Sequence, residues 1–592
     1  MIIESPHHRV PAVDFAQLTH GRGTAEAVRR LAVSERSARM IVLYGLLHTL
    51  AAGRHDVGPL APPAEAWRLI TEAESADRAA AEQTMMYPLT GIWAAHVFRR
   101  LRGVIADPAP LWLDLGHLHA LAAASAVRAG LDFTIDIPVR DGLAVLPGLG
   151  YATFPAVDAG TAQVEARSGV VTMTNGDRRV PVASGASDWH PAVRCVAETD
   201  GAHLEVILDD FDPYRNLQGY SAAPQLDPGD VERWRTLLTG AWRILVEQDR
   251  TAAESVAATL TVLVPIPRGK PLRPLSASCD EAFAAVLASM PDDEEQLAST
   301  LVHETQHVRL GAVLHLFRFV ADRPAARLYA PWRDDPRPLP GLLQGVYAFT
   351  GVTDFYRGRG HAVATFEVAL WRHQLNRVLA GLREHPALTP AGRLLVGNLA
   401  ETVQQWLSEP IDPRLRALGE AAAADHFGQW RCYHLPVPDD TVDALTTAWL
   451  TGRPCPAVPE AADPDPVVDI GVGRLDSRAV LTRIRLGDPE EFARLRAAPA
   501  EAGRVVAGTL EADFSYVAGD YHDARDRYDR HLAANPGDPH GWLGLGLTLA
   551  ALGEAPKTLL ARPELVRAVA RRIADRGGTA SARSLVDWFE SC

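Results

Sequence analysis

Apolar residues recur every three or four positions in 27-AVRRLAVSERSARMIVLYGLLHTLAA-52, and the same period continues in WAAHVFRRLRGVI and LWLDLGHLHALAAASAVRAG. That spacing is one face of a helix, so residues 15 to about 128 are predicted helical. From about 130 to 210 the texture changes to short β-rich runs: FTIDIPV, VVTMTNGDRRVPV and RCVAETDGAHLEVILDD. Asn175-Gly176 and Asp200-Gly201 sit between such runs and predict hairpin turns. The helical period returns at 229–248, then a strand-like TLTVLVPIP, then helix from about 279. Residues 294–320, EEQLASTLVHETQHVRLGAVLHLFRFV, predict one long helix. The Pro/Arg/Asp-rich LYAPWRDDPRPLP (328–340) predicts a loop, followed by helices in GLLQGVYAFTGVTDFYRG, ATFEVALWRHQLNRVLAGL and AGRLLVGNLAETVQQWLSE.

The segment 453-RPCPAVPEAADPDP-466, rich in proline and acid, has linker composition. Beyond it, Gly519, Tyr521, Ala524, Tyr528 and Pro536 are spaced like the second half of a tetratricopeptide repeat. Trp542, Leu545, Gly546 and Leu549 follow in the phase of the next repeat, and Gly553 lies 34 residues after Gly519. The expected architecture is therefore α+β and predominantly helical. A helical region (1–130) precedes a β-rich segment plus helical core (131–452), a linker (453–467) and a tetratricopeptide-like helical tail (468–592) that would contact a peptide or protein.

Composition narrows the function classes. A chain of 592 residues is long enough for two to four domains, and 47% apolar with 22% charged residues is an ordinary globular mix. The net charge of -14 argues against nucleic-acid or anionic-membrane partners, which need a basic face. Five cysteines, widely spaced and without a CxxC pair, argue against a disulfide framework or a cysteine zinc site and suggest a reducing, cytoplasmic compartment. MIIESPHHRVPAVDF lacks the basic-then-apolar pattern of a signal peptide, and no run of about 18 apolar residues predicts a membrane span.

The candidate chemistry lies in His303-Glu304-Thr305-Gln306-His307. Histidines at i and i+4 project from one helix face and can reach one metal ion, with Glu304 beside them to accept a proton or hold a neighbouring contact. Flanking Leu301, Val302, Val308, Leu310, Val313 and Leu314 predict a largely buried helix, where unmatched polar groups are costly. The extended HExxHxxGxxH peptidase form is absent, since position 310 is Leu. His315 lies about 12 Å along the axis from His307, too far to share an ion, and is expected to pack on the helix. Candidates for a third ligand are Gln344, Asp354, His361 and Glu367. Asp354 offers the better donor and Gln344 the better position, and the two are about 15 Å apart on one helix, so both cannot ligate.

LDDFDPYR (208–215), PGDVERWRTLLTGAWRIL, TLVHETQHVRLGAVLHL and YAPWRDDPRPLPGLLQGVYAF, in that order, resemble the HExxH-motif peptide-modifying proteins of actinobacteria, the α-ketoglutarate-dependent HExxH-type peptide β-hydroxylases. The resemblance spans roughly residues 10 to 440. It implies iron(II), O₂ and α-ketoglutarate as cofactor and cosubstrates, and a ribosomally synthesised precursor peptide as substrate, hydroxylated at a β-carbon. It places Gln344 where relatives often carry histidine, near the metal. Two imidazoles and one oxygen donor leave room on iron for a 2-oxoacid and O₂. The cosubstrate's far carboxylate suits an arginine fork, for which Arg333 and Arg337 are candidates with Tyr329 as a further donor. These arginines could equally pair with Asp334 and Asp335. The acidic run Asp209, Asp210 and Asp212, with Tyr214 and Arg215, is expected to end a strand rather than line a cleft. The motif leaves two other functions open: a zinc metallopeptidase with Glu304 activating water, and a tetratricopeptide-type adaptor with a structural metal.

Overall fold

The computed structural model describes residues 8–53, 55–216, 223, 225–269, 273–321, 326–457, 464–469, 473 and 475–591. It is mostly helical with a smaller sheet portion, as the α+β, predominantly helical reading anticipates. The chain divides into two compact units, one of residues 1–18 and 22–317 and one of 19–21 and 318–592. That division falls immediately after the helix carrying the HExxH string, inside the segment 131–452 that the sequence suggests as one core.

In the first unit, the amino-terminal region is a set of separate helices rather than one. Ala25–Ala52 starts at Thr24, whose side chain accepts from the Ala27 N–H, and Arg78–Met85 starts at Asp77, which accepts from Ala80. Pro63 and Pro88 stand in the first turns of Pro63–Ala76 and Pro88–Leu101, where a missing N–H costs nothing. Leu111–Arg128 is buried along almost its whole length.

That buried helix lies against the first strand of a seven-stranded antiparallel sheet built from residues 133–191. Phe133, Ile135, Ile137 and Val139 alternate inward along the strand Phe133–Arg140, and with Leu118 and Leu121 form one core. The hairpin expectations hold. Gly176 opens the turn between Val170–Asn175 and Arg178–Pro181 at φ 56°. Asp200 and Gly201, at φ 50° and 73°, join Val193–Thr199 to Ala202–Leu208 as the type I′ geometry requires.

A second, five-stranded sheet has Val262–Ile266 at its centre, parallel to both Ala202–Leu208 and Ala285–Ser289. Here the expected helix from about 279 is wrong. Asp280–Ala282 is a single 3-10 turn and Ala285–Ser289 a strand buried on both faces. A short apolar run without alternation reads equally as helix or buried strand, and parallel pairing with Val262–Ile266 decides it.

The helix Glu294–Leu316 follows directly. Asp293 caps it by accepting from Gln296, and Glu294 and Glu295 complement its amino-terminal dipole. It packs on Pro228–Gln248, Ala25–Ala52 and the strand Ala285–Ser289.

The second unit is helical apart from a small hairpin, Arg327–Leu328 with Arg337–Pro338, which brackets the segment expected to be a plain loop. Leu339–Arg357, Ala362–Leu382, Pro390–Ser408 and Pro413–His434 then follow, joined by short turns, with Ala362–Leu382 packed against each of the other three. Part of the expected linker, 458–463, lies outside the described residues. Past it, Tyr521–Ala534 packs on Pro539–Ala551. Gly519 ends the helix before this pair in the left-handed conformation at φ 91°. Gly544 is where the pair comes closest: a Cβ there would lie 2.2 Å from the Tyr528 ring. Cys195, Cys279 and Cys432 are free thiols. Cys455 is disulfide-bonded, which the spacing of the cysteines did not suggest. Among the described residues no helix is long and apolar enough to cross a membrane.

Candidate metal centre

The helix Glu294–Leu316 brings His303 and His307 onto one face, with their Nε2 atoms 3.1 Å apart and their rings 4.8 Å between centroids. Two nitrogens each about 2.1 Å from a shared ion would lie about 3.0–3.4 Å apart, so the pair already has the spacing of a bidentate metal clasp. Most of the burial expected from the flanks is present: Leu301, Val308, Leu310 and Val313 are buried, Val302 and Leu314 are half-buried, and Thr305 on the same helix is fully buried. Burial, and secondarily the neighbouring His307, holds the His303 imidazole well below its usual pKa. It is therefore neutral near pH 7, the form that ligates.

Glu304 is 2% exposed, its Oε1 lies 4.0 Å from the His303 Nε2, and its Oε2 has no hydrogen-bond partner among the described residues. A buried carboxylate oxygen left unmatched is costly unless a cation or proton meets it. These residues fit a metal ion on their own chemistry. Within the first unit, no third His, Cys, Asp or Glu among the described residues completes a cluster with them. His315 is set apart, as expected, with its Nδ1 2.8 Å from the Glu35 carboxylate of Ala25–Ala52.

The remaining candidates belong to the second unit. Gln344 and Asp354 both lie on Leu339–Arg357. Gln344 is half-buried, whereas Asp354 is 39% exposed at its side chain and forms an ion pair with Arg357 one turn on. His361 caps Ala362–Leu382 by accepting from the Ala364 N–H, and Glu367 is held by Arg483 and Trp371. Arg333 and Arg337 both reach Asp335, at 2.8 and 3.3 Å. Burial would raise the Asp335 carboxyl, but the two guanidinium groups outweigh it and hold the pKa below the ordinary value. Asp334 accepts from the Leu475 N–H. The Tyr329 hydroxyl is 2.9 Å from His426 Nδ1, and its ring sits edge-on to Phe427 and Trp430, so the side chain is engaged within an aromatic cluster.

The run Asp209–Arg215 does more than was expected of it. It ends the strand Ala202–Leu208, with Asp209 accepting from the Phe211 and Asp212 N–H groups and Asp212 from Tyr214. Yet Asp209 and Asp212 are both fully buried, and Tyr87 donates to Asp209 across the core. Burial, then the neighbouring Asp209, pushes the Asp212 carboxyl up to about 8. Tyr214 and Arg215 line a cavity, the feature that the acidic pattern hid.

One grouping of metal-ligand types went unremarked in the sequence: His96, Asp107 and Asp114, spread over two helices and a connecting turn. Asp114 is wholly buried and accepts from Arg100, Arg140 and Tyr214. With two guanidinium groups already on its carboxylate, this is an ion-pair knot tying Pro88–Leu101 and Leu111–Arg128 to the sheet.

No protein-family model matches the chain, and no curated protein is significantly similar to it.

Proposed function

We propose that this protein is an iron(II)/α-ketoglutarate-dependent hydroxylase that acts on a β-carbon of a ribosomally synthesised precursor peptide. The observation that carries the metal half of the reading is the 3.1 Å spacing of the His303 and His307 Nε2 atoms beside the buried Glu304. The resemblance of the surrounding segments to HExxH-type peptide β-hydroxylases carries the reaction half. Bound iron, with α-ketoglutarate and O₂, supplies the oxidising power that puts one oxygen atom into a C–H bond.

The chain's own contribution is positional. His303 and His307 hold the ion through Nε2, and the packed helix fixes both rings. Glu304 places a carboxylate next to them that accepts a proton or a ligand's hydrogen bond. Of the sequence candidates for a third donor, Asp354 is engaged by Arg357. Arg333 and Arg337, now shared on Asp335, are guanidinium groups of the kind suited to a carboxylate such as that of α-ketoglutarate. The paired helices of the carboxy-terminal tail are tetratricopeptide-like and serve peptide recognition.

A zinc peptidase is the second reading, favoured by the 4.0 Å approach of Glu304 to His303, which suits a base for metal-bound water. Mass spectrometry of a precursor peptide incubated with anaerobically iron-loaded protein, α-ketoglutarate and O₂ separates the readings. Hydroxylation adds one oxygen with succinate released, and peptidase action gives fragments. Succinate release that persists after His303→Ala and His307→Ala refutes the hydroxylase. Absence of any turnover, with tail-mediated binding intact in His303→Ala, leaves an adaptor with a structural metal.

A further inference from the structure

A second site lies within the first unit, unrelated to the metal helix. Leu111–Arg128, the turn that ends strand Phe133–Arg140, and the Asp209–Arg215 segment enclose a cavity of about 350 Å³. That volume is within the range of small-molecule sites. Its walls are mostly apolar, with Leu113, Pro138, Leu143, Val145 and Phe211 among them. Its polar groups come chiefly from His117, Arg140, Tyr214 and Arg215.

Two of those groups are buried and unmatched among the described residues. His117 is 3% exposed, and its Nε2 has no hydrogen-bond partner. Its ring is fixed edge-on to Tyr214 at 4.8 Å and tilted on Trp93 at 5.3 Å. Arg215 donates through Nη1 and Nη2 to the Asp212 and Ala223 carbonyls at 3.1 and 3.2 Å, which leaves its Nε–H buried without an acceptor. A native fold seldom strands two such groups in one cavity without something to meet them.

Their chemistry indicates what that is. The Tyr214 hydroxyl is spent on Asp114, and Asp141 stands exposed at the rim. Arg140 is anchored through Nη2 to Asp114 and stacks its guanidinium over the Tyr214 ring at 5.7 Å, with no other side-chain hydrogen bond among the described residues. The interior thus offers N–H donors from two permanently charged guanidinium groups and an apolar surround. Burial, then Arg140, pushes the His117 pKa down to about 3, so His117 adds a neutral ring nitrogen rather than a third charge.

We propose that this cavity binds a small organic acid, a carboxylate on an apolar body, with the carboxylate on Arg215 and Arg140 and a further polar contact to His117.

Calorimetric titration of the full chain with benzoate and 4-methylpentanoate, each against its own amide, tests this. Saturable binding of the acid is expected, with the amide weaker by about tenfold or more, the usual worth of a charge-assisted hydrogen bond. Arg215→Gln should weaken the acid by a similar factor, and His117→Phe by less. Leu143→Trp, which fills the cavity and leaves both arginines in place, should abolish binding. Equal affinity for acid and amide, no binding of either acid below about 10 mM, or retained binding in Leu143→Trp overturns the proposal.

Discussion

The Nε2 atoms of His303 and His307 stand 3.1 Å apart, one turn from each other on a helix whose flanks are buried. Removing either ring should abolish stoichiometric metal binding. His303→Ala or His307→Ala is expected to weaken Fe(II) or Zn(II) by more than about 100-fold, beyond the loss typical of residues that only support a ligand. Competition with a chelating dye measures it, and affinity unchanged in both variants would show the pair is not a ligand set.

Glu304 gives a prediction of opposite signs. Its Oε2 is buried and has no hydrogen-bond partner among the described residues, so Glu304→Gln removes a carboxylate that burial penalises. Thermal melts without metal should show Glu304→Gln equal to or more stable than the parent. With metal, the variant should bind at least about tenfold more weakly. A variant destabilised without metal and unaltered in affinity would mean that the carboxylate serves the fold alone.

Asp212 should make stability fall as pH rises. Its carboxyl is pushed up to about 8 in the fold by burial and by Asp209, against 3.8 as the ordinary value. The folded chain therefore keeps a proton that the unfolded chain releases. The stabilisation is full below about 3.8, declines through the window up to about 8, and is lost above it. Asp212→Asn removes that titration, so the drop in Tm between pH 5 and 8 should shrink by at least a few degrees. Identical pH profiles would place the titration elsewhere.

In the second unit, Arg478 holds two buried carboxylates, pairing with Asp425 and with Asp513 at 2.8 Å. Arg478→Met takes the guanidinium charge from both and should cost about 3–5 kcal/mol. Guanidinium denaturation of the full chain reads it, and a loss below about 1 kcal/mol would mean the carboxylates find other donors or protonate.

Sequence legibility followed interaction range. The HExxH clasp was visible because i and i+4 geometry is set by the helix alone, and the Asp200-Gly201 turn because its two left-handed residues are local. The tail's helices were legible through Gly519, which takes the left-handed conformation that ends a helix, and through Ala524 and Tyr528, which are fully buried. Ala285–Ser289 was misread because neither burial on two faces nor parallel pairing leaves an alternating pattern. The buried network around Asp114 left no trace either, since its partners Arg100, Arg140 and Tyr214 stand up to 100 residues away.

What the sequence determined by itself is the predominantly helical character, the turn positions and the two-histidine clasp, all fixed by backbone geometry within a few residues. Tertiary structure alone decided which polar groups became buried. It spent the hydroxyl of Tyr329 on His426, brought Arg478 onto Asp425 and Asp513, and left Glu304, His117 and Arg215 each with a buried atom unmatched among the described residues. The physical reason is that desolvation depends on every element packed around a group, and that environment is assembled from distant parts of the chain.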